Sequence, residues 1–249
     1  MARTLFDRAT NVAAFLVVLL ANYLANALPL GGRTTGQISD AYPTLFTPAG
    51  YTFAIWGVIY LLLIGFVIRQ AWPSERGGGA LARIDWPFRI NCLANASWIV
   101  AWHYDQLVLS LVFMMVILWS LARIVGHLRN DPEVQRGWSY LLIALPFSVY
   151  FGWISVAAIA NVSVLQSAWG LNDLLIGQAA WTFLKLGAAA VAAVVIGWKR
   201  ADPPYAFVVT WAALGIAAAR AEHPQLQVAA LVVAGVAFLS GAFATWRRC

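Results

Sequence analysis

The sequence predicts an all-α, polytopic bundle of membrane helices, and three observations point to it. The 249 residues are 62% hydrophobic and only 10% charged, with a mean hydropathy of +0.75, whereas a soluble domain carries about 25% charged residues. The apolar residues fall in runs of about 20, long enough to cross a hydrocarbon core of roughly 30 Å as helices, an environment in which unpaired strand backbone is not tolerated. The basic residues sort onto alternate loops, as they do in a chain that weaves across a bilayer.

Eight spans follow in order. The first, Asn11–Leu30, is built on the apolar run Val12–Ala21. Arg3 and Arg8 ahead of that run, with Ala25, Asn26 and Ala27 behind it, mimic a secretory signal, and a retained helix is the expectation. The Gly/Thr/Pro-containing loop Gly31–Thr47 leads to the second span, Pro48–Ile68, and the turn Pro73–Ala80 to the third, Trp86–Trp102. Gly77, Gly78 and Gly79 in that turn are expected to stop any helix. The remaining spans are Gln106–His127, Trp138–Val162, Ile176–Gly197, Tyr205–Ala221 and Leu226–Trp246. Most connections are short, so sequential helices are antiparallel neighbours. The last three spans are rich in Ala, Val and Gly. Ala188–Val195 and Ala212–Ala219 read as faces where small side chains let backbones approach, which marks that part of the chain as scaffold.

Thirteen of the sixteen basic residues fall on the side of the N-terminus, only Arg33 and Arg220 fall on the other, and Lys185 lies within a span. That asymmetry puts both termini in the cytoplasm; a multi-pass protein of a bacterial inner membrane, with the lipid bilayer as its surroundings, is the expectation. The net charge of +6 is then membrane topology, and nucleic acid is not an expected partner. Cys92 in a span and Cys249 at the C-terminus supply neither a disulfide framework nor a metal-binding pair. The sequence shows no Ser/His/Asp set, no HExxH and no Gly-rich phosphate loop, so no catalytic residue and no metal site is expected.

The 13 tryptophans divide by depth. Trp72, Trp86, Trp138 and Trp198 sit at helix ends, where an indole anchors at headgroup level. Trp56, Trp98 and Trp153 lie deeper, where an indole has no headgroup partner and its N–H needs an acceptor inside the bundle. Asn91, Asn95 and Trp98 share one helical face. Amides at this depth join helices or orient a ligand, and both readings stand. An aromatic wall with a few fixed amides suits a flat, mostly apolar molecule.

The stretch Phe46-Thr47-Pro48-Ala49-Gly50-Tyr51-Thr52-Phe53-Ala54-Ile55-Trp56-Gly57-Val58-Ile59-Tyr60 resembles the opening of the second helix in the TspO/MBR family, the tryptophan-rich sensory proteins. Asn91, Asn95, Trp98 and Trp102 resemble that family's third-helix pattern, and Trp153, Ala157 and Asn161 its fifth. The resemblance covers about residues 5–165. It departs where Thr47-Pro48 is followed by Gly50 and Tyr51 instead of a Pro-Pro pair and Trp, at Ala54, and at Pro146, which lies further ahead of Trp153 than usual.

The resemblance implies a five-helix pocket over residues 1–165, capped by the first loop, that binds porphyrin, haem-type tetrapyrroles or other small flat hydrophobic ligands. Residues 166–249 are expected to add three spans. By matching position, Trp56, Asn95, Trp98, Trp153 and Asn161 would line the pocket, with Tyr51 and Phe53 nearer its mouth. Light-dependent porphyrin degradation is implied by the resemblance alone, and enzyme activity is otherwise not expected. A transporter is the first alternative. It would use Lys185, whose charge within a span is either functional or snorkels to the interface. A structural subunit is the second alternative, docking through the Ala/Gly-rich helices on a homodimer partner or a larger membrane complex. His103 with Asp105, and His223 with Glu222, occupy turns on one side and together could bind a metal or a porphyrin propionate's counter-ion, although isolated exposed histidines are commoner.

Overall fold

The computed structural model describes residues 3–28, 30–72 and 78–247; Arg76, Gly77, Arg248 and Cys249, all used in the sequence reading, lie outside them. The chain forms α1 (Leu5–Ala27), α2 (Thr35–Asp40), a 3-10 turn (Gly50–Ala54) running into α3 (Ile55–Ala71), α4 (Gly78–His103), α5 (Leu107–Arg129), α6 (Gly137–Ala168), α7 (Gly177–Lys199), α8 (Pro203–Ala219) and α9 (Pro224–Trp246). Among the described residues there is no strand. Six stretches are long and apolar enough to cross a membrane: Leu5–Ala27, Gly50–Ala71, Leu107–Arg129, Gly137–Ala168, Gly177–Lys199 and Pro224–Trp246. The other two expected spans coincide with α4, which carries Arg83, Asp85 and Arg89 in its first half, and with α8, which has 17 residues.

Three boundaries differ from expectation for identifiable reasons. The first helix starts at Leu5 rather than Asn11. Thr4 caps it by accepting from the Asp7 amide at 3.2 Å, and the Asp7 carboxylate accepts from the Thr4 amide at 3.0 Å, a reciprocal box that satisfies two otherwise unpaired donors. The expectation that Gly78 and Gly79 stop a helix is overturned, because α4 begins at Gly78; glycine in a first turn leaves unpaired the same N–H groups that any residue would. The first loop is not wholly irregular either, since α2 forms within it.

The chain divides into two compact units, Met1–Thr35 with Trp56–Phe151, and Gly36–Ile55 with Gly152–Cys249. In the first, Phe66, Phe88 and Phe147 bring α3, α4 and the start of α6 together edge to face, with ring centroids 4.7 to 5.9 Å apart. Pro146 follows a wide π-turn, Tyr140–Ala144, in which the Leu145 amide reaches back to the Tyr140 carbonyl. A widened turn is a usual way of relieving the clash between a proline ring and the preceding turn. Polar groups lie inside while many apolar side chains lie outside, Leu61, Leu93, Val112 and Leu184 among them, which is the distribution a hydrocarbon solvent requires.

At one end of α1 the buried Asp85 carboxylate accepts from Arg3 Nη2 at 2.7 Å and Asn11 Nδ2 at 2.6 Å. Arg89 completes the cluster through Asn11 Oδ1 at 2.8 Å and Asp7 Oδ1 at 3.1 Å. Every charge in this cluster has an opposite partner, as burial demands.

In the second unit, close approach is built on small residues. A Cβ on Gly152 would lie 2.9 Å from the Tyr205 carbonyl oxygen, and one on Gly197 would lie 2.6 Å from Ala206 Cβ. The small-residue faces read from the sequence are therefore packing faces, with Ala189, Ala193, Ala212, Ala213 and Ala217 all buried.

Candidate functional site

The first unit assembles an aromatic ladder from α3 and α4. Tyr60, Trp56, Trp98 and Trp102 follow one another with ring centroids 5.6, 5.9 and 6.1 Å apart and interplanar angles of 22°, 25° and 24°. The spacing along each helix makes this possible: four residues separate Trp56 from Tyr60 and Trp98 from Trp102, so each pair shares a helical face. Tyr150 from α6 meets Trp56 edge-on at 5.8 Å.

Two polar atoms of the ladder, Trp98 Nε1 and Tyr60 Oη, are buried without a hydrogen-bond partner among the described residues. Trp102 Nε1, in contrast, donates to the Thr35 carbonyl at 3.2 Å. Buried polar groups are normally satisfied, so the two orphans are where a ligand would find complementary groups.

Asn95 joins helices. Its Oδ1 accepts from Asn22 Nδ2 at 2.9 Å and its Nδ2 donates to Tyr150 Oη at 2.6 Å, tying α1, α4 and α6. Asn91 does the same toward α5, donating to Ser120 Oγ at 2.9 Å. Of the two readings of these amides, helix joining is the one the geometry displays.

The second unit holds the other expected site residues. Phe53 meets Trp153 edge-on at 5.8 Å, and Tyr51 meets Trp211 edge-on at 5.6 Å. Trp153 and Asn161 are buried, at 2% and 3% exposure, and Tyr51 is exposed. Lys185 Nζ donates to Gln166 Oε1 at 2.7 Å, which ties α7 to α6 through an amide. The 3-10 turn is fastened to α8: the Ala49 amide donates to the Gly215 carbonyl at 3.0 Å and Trp211 Nε1 to the Thr52 carbonyl at 3.0 Å. Nothing in the sequence reading anticipated this role for Trp211 or Gly215, because the contacts lie about 160 residues apart in the chain.

The turns singled out for their histidines behave differently from each other. His103 is buried, not exposed as expected, with Nδ1 at 2.8 Å from the Ile99 carbonyl oxygen. It lies beneath the first loop, where Gly31 has φ 67° and a Cβ there would come within 2.8 Å of the His103 carbonyl oxygen. Arg33 pairs with Asp105 beside it. Among the described residues no three His, Cys, Asp or Glu side chains gather as a metal site would require. Trp72, Trp86, Trp138 and Trp198 are all exposed, as rings at headgroup level would be.

The fold and these clusters define a multi-pass helical membrane protein with tryptophan-lined interiors. The family model described as TSPO-like protein matches residues 8–243, and the chain belongs to that family. The match takes in α7, α8 and most of α9 as well as the helices before them. No curated protein and no solved structure matches the chain.

Proposed function

We propose that this protein binds a porphyrin or a similarly flat hydrophobic ligand and serves in its sensing, trafficking or disposal. The observation that supports this best is the ladder Tyr60–Trp56–Trp98–Trp102, in which near-parallel rings flank two buried polar atoms without partners. A planar π-system gains most from stacking on such rings, and an acceptor at its edge would take the Trp98 N–H. Resemblance adds Asn95 beside the ladder as a further ligand contact; Tyr51, Phe53, Trp153 and Asn161, which it also implies, belong to the other unit.

On this reading the chain crosses the membrane eight times with both termini in the cytoplasm. Residues 1–165 carry the five-helix arrangement of the tryptophan-rich sensory proteins, and 166–249 add three spans. Protoporphyrin IX titrated into the purified protein should quench tryptophan fluorescence saturably. Trp98→Ala should weaken the affinity about tenfold, the worth of one good aromatic contact. Unchanged affinity in both Trp98→Ala and Trp56→Ala would remove the ladder from the site.

A further inference from the structure

The second unit contains two adjoining recesses that the aromatic ladder does not use. One, of about 350 Å³, is lined by the segment from Ser39 to Gly50 with Gln178 and Arg220. The other, of about 670 Å³, is lined by Leu45, Ile176, Phe183 and Leu226 with a polar rim that includes Glu222. Leu45 and Gln178 border both, so the recesses are compartments of one cleft. Each is of a size that small-molecule sites have.

Their chemistry differs. Arg220, just past the end of α8, donates from Nη2 to the Thr47 carbonyl at 3.2 Å, while its Nε is buried without an acceptor. It has no carboxylate partner among the described residues. A guanidinium presents its donors as a planar fork matched to an oxyanion, and here part of that fork is unused. The hydroxyls of Thr44 and Thr47 are taken up with each other at 2.7 Å, and Asp40 stands exposed at the rim. In the second compartment Asp173 is occupied in accepting from the Gln178 amide at 3.1 Å. Glu222, exposed there, disfavours a second negative charge but not a hydrocarbon chain.

We propose that this cleft binds a single-chain anionic amphiphile, its oxyanion head on Arg220 and its hydrocarbon chain between Leu45, Phe183 and Leu226. The head is a carboxylate or a phosphate, which share the geometry that the fork reads.

The test uses the full chain in nanodiscs of phosphatidylcholine, with cis-parinaric acid and its methyl ester as fluorescent probes. The acid should bind about tenfold tighter than the ester, the value of one charge-assisted pair. Arg220→Gln should bring the acid down to the ester's affinity and leave the ester where it was. Arg220→Lys, which keeps the charge and loses the fork, should restore part of the difference. An Arg220 that only fastens the loop through Thr47 would shift acid and ester alike.

Leu45→Trp, which fills the junction and leaves Arg220 untouched, should weaken both probes together. Equal affinities of acid and ester for the unaltered protein, an acid preference surviving in Arg220→Gln, or unchanged binding in Leu45→Trp would each overturn the proposal. Displacement of the probe by lysophosphatidic acid at lower concentration than by a long-chain carboxylate assigns a phosphate head, and the reverse order a carboxylate. Porphyrin quenching is read separately, so either site can fail alone.

Discussion

Asn95 shows how one side chain can satisfy several demands at once inside a membrane protein. Its oxygen takes an N–H from Asn22, and its amide nitrogen gives one to the Tyr150 hydroxyl, so three helices share a residue that is 1% exposed. Replacing it with Leu strands the buried Tyr150 hydroxyl on α6 and leaves half-buried Asn22 on α1 only its bond to the Val18 carbonyl. The loss of stability should be about 1 to 2 kcal/mol, at the upper end of what interhelical hydrogen bonds contribute in lipid. Tyr150→Phe removes only one acceptor and should cost less than Asn95→Leu. Unfolding by SDS in mixed micelles measures both, and equal or reversed losses would mean that the amide is not the hub. The family resemblance places Asn95 near a ligand, while the geometry makes it a brace first. A variant at Asn95 that loses porphyrin binding therefore needs its stability measured before the loss is assigned to contact.

At the scale of elements, the 3-10 turn Gly50–Ala54 is seated on α8. Thr52 is wholly buried, and a Cβ added at Gly215 would collide with its Oγ1, Cγ2 and Cβ. Gly215→Ala should therefore destabilise the protein by about 1 to 3 kcal/mol through overpacking, and Thr52→Ala in the same chain should recover part of that loss by vacating the space. Additive losses in the double variant would show that the two residues do not press on each other. This contact also marks what sequence reading reaches. Six of the helical stretches were legible because each is a long apolar run, a signal contained within about twenty residues, whereas α4, with Arg83, Asp85 and Arg89 in its first half, and the 17-residue α8 carry that signal more weakly. The helix start at Leu5 was legible in principle from Thr4 and Asp7, but the apolar pattern drew attention to Asn11. The ladder was half legible: the spacings Trp56 to Tyr60 and Trp98 to Trp102 put each pair on one face, but nothing local says that α3 and α4 meet through those faces. Arg220 beside Thr47, and Gly215 against Thr52, depend on which helices meet, and periodicity carries no information about that.

At the scale of the whole molecule, the distribution of charge bears on how the chain lies in the bilayer. The connections from α1 to α3 and from α8 to α9 hold Arg33 and Arg220, while Arg69, Arg83, Arg89, Arg123, Arg129, Arg136, Lys199 and Arg200 lie on the turns between α3 and α4, α5 and α6, and α7 and α8 or on the helix segments beside them. Moving Arg or Lys across a bilayer during insertion is unfavourable, so the proposed topology keeps the richer set in the cytoplasm. The six long apolar stretches alone do not fix this, because α4 is polar in its first half and α8 is short. If α8 failed to cross, the α8–α9 turn with Arg220, Glu222 and His223 would share a side with Lys199 and Arg200. Eight crossings separate them. Cys92 is buried, so with Cys249→Ser as background a single added cysteine can report its side. In intact spheroplasts a membrane-impermeant maleimide should label Glu222→Cys but leave Arg136→Cys and Arg200→Cys unlabelled until the membrane is permeabilised. Labelling of Arg200→Cys together with Glu222→Cys would place α8 on the surface of the bilayer, and labelling of Arg136→Cys alone would invert the orientation.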